Sequence, residues 1–130
     1  MKFGENIQSA DWKNEKHVPA IELPASVAAG EPFMVTVSVG KKVPHPNTTE
    51  HHISWIDVYF KPEGGKFMYQ VAHFDFAAHG ASAKGANEGP VYAHPIASFS
   101  MTTEEPGTLI ALEHCNIHGL WEGSAEVKIA

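Results

Sequence analysis

The sequence contains no arginine: its nine basic residues are all lysine, set against 15 aspartates and glutamates, for a formal charge of -6. Both facts argue against nucleic acid as a partner. A phosphate backbone is repelled by such a surface, and the planar guanidinium fork that suits phosphates and base edges is missing. Cysteine is almost absent as well. Cys115 stands alone, so no internal disulfide can form, and the chain is not a stapled secreted scaffold. No apolar run reaches the ~18 residues needed to span a bilayer. The longest uncharged stretch, 89–103, is broken by Pro90, His94 and Pro95, so no membrane association is expected. Met1-Lys2-Phe3-Gly4-Glu5-Asn6 runs into polar residues without the apolar segment of a secretory signal. The expected location is therefore cytoplasmic.

What is present is enough for a core. Hydrophobic residues are 43% of 130 and charged ones 18%, which fits one domain over 1–130. The pattern is strand-like almost throughout. Phe33, Val35, Val37 and Val39 alternate with Met34, Thr36 and Ser38, one face buried and one less so. The runs 53–60 and 67–76 are aromatic and β-branched, joined by Pro62-Glu63-Gly64-Gly65-Lys66, whose glycines are expected to supply positive φ in a hairpin. Further strands are expected at 20–23, 91–93, 96–101, 108–114 and 125–129, and 6–13 is the one segment weighed as a helical turn, too short and mixed to assign. No helical periodicity is sustained. The expected fold is all-β, an immunoglobulin-like antiparallel β-sandwich of about seven or eight strands, with a closed barrel as the alternative.

Nine histidines are the unusual abundance. Six of them gather in three polar clusters at predicted loops or strand ends: Glu15-Lys16-His17, then His45-Pro46-Asn47-Thr48-Thr49-Glu50-His51-His52, then His114-Cys115-Asn116-Ile117-His118. Imidazole and thiolate together are a ligand set for zinc, copper or iron, whereas a hard oxygen-seeking ion would want carboxylates. Cys115-x-x-His118 is half a metal motif, and alone a weak one, because a lone cysteine is usually a small buried hydrophobe. Prolines on either side of His45 hold that imidazole on a stiff extended backbone. His51 and His52 are neighbours and point to opposite faces if extended, so one of them can reach a shared metal; spacing does not say which.

These segments closely resemble the signature segments of superoxide reductase. The residues that carry the likeness are Glu15-Lys16-His17-Val18-Pro19, Pro44 through Ile53, and Cys115-Asn116-Ile117-His118-Gly119-Leu120-Trp121. The likeness is to the one-iron class, also called neelaredoxin, since one cysteine cannot supply a second centre of four thiolates. The resemblance implies a mononuclear iron with His17, His45, His51 and His118 as equatorial ligands and the Cys115 thiolate axial. It also selects His51 over His52, and it places the iron-facing Glu and its neighbouring Lys on Glu15 and Lys16. The implied reaction is one-electron reduction of superoxide to hydrogen peroxide, for detoxification. Lys16 would draw the anion in, and Glu15 would bind ferric iron and leave on reduction. The chain has no flavin motif or disulfide pair, so the electron would come from rubredoxin or a comparable small carrier. A homo-oligomer, tetramer or dimer, is also implied.

Other readings carry less of the sequence. A cupredoxin-like carrier would place its axial Met after the cysteine, yet Met1, Met34, Met68 and Met101 all precede Cys115. Structural zinc is almost always four-coordinate, so a fifth donor argues for another ion. A metal-free binding module leaves the triple clustering unexplained. His52, His73, His79, His94 and His114 read as structural or exposed, with His52 a candidate for a supporting hydrogen bond. Trp12, Trp55 and Trp121 read first as core aromatics and second as apolar walls near the site.

Overall fold

The computed structural model describes all 130 residues. A 3-10 turn at Phe3–Asn6 precedes eight strands: β1 (Gln8–Ser9), β2 (Ala20–Glu22), β3 (Phe33–Ser38), β4 (Ile53–Pro62), β5 (Tyr69–Asp75), β6 (Ile96–Met101), β7 (Gly107–Cys115) and β8 (Gly119–Val127). They form a five-stranded sheet in the order β1-β8-β7-β4-β5 and a three-stranded sheet in the order β2-β3-β6.

Alternation builds the core between them. Phe33, Val35 and Val37 of β3 face Ile56, Val58 and Phe60 of β4 and Leu109 and Ala111 of β7 within one buried cluster of 14 residues. Each fully buried Val, Ile or Leu contributes about 1.5–3 kcal/mol, so this shared layer is what joins the sheets. The alternation of β4 changes parity once. Ile53 is buried as well as Ile56, Val58 and Phe60, because the register with β7 shifts between Ile53 and Trp55. Such a bulge adds one residue to a strand and re-aims the side chains beyond it. Here it lies where β4 meets Cys115.

The sandwich and its strand count match the expectation, and five details differ. β1 pairs with β8 in parallel, Gln8 opposite Trp121, so the sheets are not wholly antiparallel. The helical turn falls at Phe3–Asn6, not over 6–13. Residues 91–93 form no strand, only an isolated bridge between His79 and Tyr92, since Pro90 and Pro95 remove ladder donors on both sides. β8 begins six residues earlier than expected, at Gly119 rather than 125. The β4–β5 turn closes with Gly65 N–H donating to the Pro62 carbonyl at 3.1 Å, and neither of its glycines takes positive φ.

Candidate metal centre

The three polar clusters meet at one end of the sandwich. Strands β7 and β8 are joined there by the three residues Asn116-Ile117-His118, with Cys115 opposite Gly119 across the ladder. Gly119 takes φ +81, the left-handed conformation that a three-residue hairpin asks of the residue re-entering the strand. The tight return brings Cys115 Sγ to 3.4 Å from the His118 backbone nitrogen and 3.9 Å from its Nδ1. Segment 15–19 crosses β8 where Gly123 leaves room: a Cβ there would lie 2.3 Å from the Pro19 carbonyl. That close approach sets His17 against the hairpin.

One ligand atom from each of His17, His45, His51 and Cys115 lies within 4.8 Å of the other three. His118 joins them, its ring centroid 4.8 Å from that of His17 and 5.1 Å from that of His51. The side chains fit a metal in a way a plain core would not. The Nε2 atoms of His17, His45 and His51 are all buried without a hydrogen-bond partner, a costly state for polar atoms unless a ligand satisfies them. The far sides of two of them are satisfied. His17 Nδ1 lies 2.8 Å from Glu15 Oε1, and His45 Nδ1 lies 2.6 Å from the Pro46 carbonyl. An acceptor behind Nδ1 holds the proton there and leaves the Nε2 lone pair aimed inward, the usual support of a metal-bound imidazole.

Electrostatics favours the neutral form of His45 and His51. Burial first, then the neighbouring imidazoles and the Lys16 ammonium, bring His45 down to about 4, and burial with His118 and Lys16 lowers His51. Glu15 is pushed up by burial but ends below the usual carboxylate value through its hydrogen bonds with His17. The carboxylate of Glu15 thus sits behind the His17 ring, accepting also from the His17 backbone N–H at 2.7 Å, and stands outside the converging donors. Lys16 is half-buried beside them and has no carboxylate within ion-pair distance.

The neighbouring histidines separate as strand geometry asks. His52 turns from His51, its Nδ1 2.9 Å from the Thr48 carbonyl, and stacks on His79. His114 turns from Cys115 to Ser54, 3.3 Å away, and stacks on Trp55. None of the three tryptophans is in the core, contrary to the first expectation. Trp121 stacks on His17 at 4.8 Å with 15° between planes and donates from Nε1 to the His118 carbonyl at 3.2 Å, so it walls the site.

One residue was not anticipated. Glu113 is fully buried on β7, neither oxygen has a partner, and burial together with the Glu15 charge pushes its pKa up to about 9. The signal was available, since Leu109, Ala111, Glu113 and Cys115 share one face of β7 by period two.

Comparison with known proteins agrees with this arrangement. The desulfoferrodoxin family model matches residues 9–124. The chain is similar to the neelaredoxin of Megalodesulfovibrio gigas, 58% identical over 99% of each chain. It is similar to the superoxide reductase of Pyrococcus furiosus, 53% identical over 97% of this chain and 99% of that one. Among solved structures, the reduced superoxide reductase (neelaredoxin) of Archaeoglobus fulgidus superposes with a TM-score of 0.88 at 54% identity, over 95% of this chain and 98% of that one. With a matching model over most of its length and relatives this close, the chain belongs to the desulfoferrodoxin family.

Proposed function

We propose that the protein is a superoxide reductase, converting superoxide to hydrogen peroxide at one iron per chain held by His17, His45, His51, His118 and Cys115. The observation that carries the reading is the set of buried, unpartnered Nε2 atoms on His17, His45 and His51 converging with the Cys115 thiol. It is supported by relatives of that name at half or more identity. A bound iron with this nitrogen and sulfur set supplies the chemistry, one electron per cycle given to superoxide, which takes two protons and leaves as peroxide.

The chain's own residues do the rest. Neutral imidazoles accept a cation without first losing protons, and the downward shifts of His45 and His51 keep them ready. Cys115, fully buried at the end of β7, offers a thiolate shielded from solvent on the core side. Lys16, without a carboxylate partner, puts a positive charge beside the centre and draws in the anion against the net charge of -6. It also holds the water that delivers a proton. Glu15 fixes the His17 tautomer here, and to serve as a ligand of a ferric ion it would have to release His17 Nδ1.

The electron donor is a rubredoxin-like small carrier docking at the metal end, where Ile117 is 57% exposed next to exposed His118. No helix is long and apolar enough to cross a membrane. A cytoplasmic homo-oligomer, tetramer or dimer, of single-domain chains completes the reading. The test is metal analysis followed by anaerobic mixing of reduced protein with superoxide. One peroxide per iron with no dioxygen is expected; dioxygen evolution would make the protein a dismutase, and iron-free protein would end the proposal.

A further inference from the structure

Two donor imidazoles, His45 and His51, hang from residues 43–52, which contain neither helix nor strand. One residue outside the cluster grips this loop in three places, two through its ring and one through its backbone carbonyl. His79 is 8% exposed, and its Nδ1 lies 2.7 Å from Asn47 Oδ1. Its backbone carbonyl accepts from Thr49 Oγ1 at 3.1 Å, and its ring stacks on His52 with centroids 3.7 Å apart and 6° between planes.

The grip is anchored at both ends. His79 Nε2 lies 2.5 Å from the carbonyl of Phe76, a core residue whose N–H donates to Ser54 at 2.9 Å. Asn47 Nδ2 extends the tie to the Ala93 carbonyl at 3.0 Å. The contacts fall at residues 47, 49 and 52, so they bracket His51 and follow His45 by two positions.

We propose that His79 is the positioning residue of this centre, a pin that fixes the 43–52 loop so that His45 and His51 meet the other donors. The inference rests on the reading of the cluster as a metal site. His52 is the titratable group facing the ring. Burial first, and His52 with it, favour the neutral form, while the Phe76 carbonyl opposes them. With the single ring proton on Nδ1, the ring donates to Asn47 Oδ1 while Asn47 Nδ2 keeps its bond to Ala93; with it on Nε2, the ring donates to Phe76 and the Asn47 amide would have to turn, giving up Ala93. The joint between ring and loop survives in either arrangement.

The probe is cobalt(II), titrated anaerobically into the full-length metal-free protein and read by its thiolate absorption and ligand-field bands. His79→Leu should weaken binding by about ten- to a hundred-fold, the usual consequence of losing an outer support, with altered ligand-field bands and an unchanged β-sheet circular dichroism spectrum. His79→Asn, whose amide nitrogen can stand where Nδ1 stands, should recover most of the loss, and His79→Gln, which reaches toward Phe76 instead, should not. Asn47→Leu should match His79→Leu, and the double variant should be no worse than either single one. Wild-type affinity and spectrum in His79→Leu, or losses that simply add in the double variant, would overturn the inference. Should His79→Leu fail to fold, equal affinities for the Asn and Gln variants would overturn it. Wild-type protein that gives no thiolate–cobalt band would instead sink the metal-site reading itself.

Discussion

Replacing Glu113 by glutamine should stabilise the metal-free protein at neutral pH and leave it unchanged in acid. Glu113 is enclosed on β7 with no partner for either oxygen, and its pKa stands at about 9 against an ordinary 4.5. Between those two values the unfolded chain gives up a proton that the folded chain keeps. Stability therefore falls as pH rises through that window, by up to about 1.4 kcal/mol per pH unit. From pH 4.5 to 7 this accumulates to about 3 kcal/mol, a large part of the 5–15 kcal/mol that holds a typical domain together. Glutamine has nearly the same shape and does not titrate. Urea unfolding of the two proteins, both stripped of metal, should give coincident stabilities at pH 4 and a gap of about 3 kcal/mol at pH 7. Curves that stay parallel from pH 4 to pH 8 would show that Glu113 is not held protonated by the fold.

Other substitutions test the site from different sides. Lys16→Ile should slow superoxide capture several-fold at low ionic strength and converge with wild type at high salt, because a steering charge is screened; pulse radiolysis across a salt series would expose a salt-independent effect, which would deny that role. Cys115→Ser should abolish the thiolate absorption band of the metal-loaded protein and at least most of its superoxide reduction, and retention of both would remove Cys115 from the ligand set. Gly123→Ala puts a methyl 2.3 Å from the Pro19 carbonyl, so β8 and the segment carrying His17 must separate. A loss of about 1–3 kcal/mol in chemical denaturation, with weaker cobalt binding, is expected, and a neutral result on both counts would mean that this approach does not seat His17.

Period two made most of the sandwich legible, since one buried face suffices to mark β3, β4 and β7. It failed where pairing is not local. β1 has exposed residues only and exists because β8 offers it an edge, which no window of the sequence reports. The apolar run 91–93 looked like a strand, but its flanking prolines leave it as a single bridge. At the centre, the donor types and their turns were visible as clusters, whereas the choice between His51 and His52 came from family likeness and not from spacing. Trp121 was misplaced in the core because aromatic bulk alone does not distinguish a packed ring from one lying over an imidazole. Glu113 was passed over, and His79 was read as structural without its contacts being visible, for opposite reasons. The first is a charged residue on a core parity, and the second is a histidine two of whose hydrogen-bond partners, Asn47 and Thr49, are 30 or more residues away.

The donors gather where β4 begins and β7 ends, and β4 then runs ten residues to Pro62, roughly 30 Å at the usual rise of an extended chain. The turn after it therefore lies at the distal pole of the molecule, with Gly64 open to solvent. A dye, an electrode tether or a fused module attached there would stay clear of anything approaching the iron, so the enzyme can be immobilised by its back end while its reactive end faces the medium.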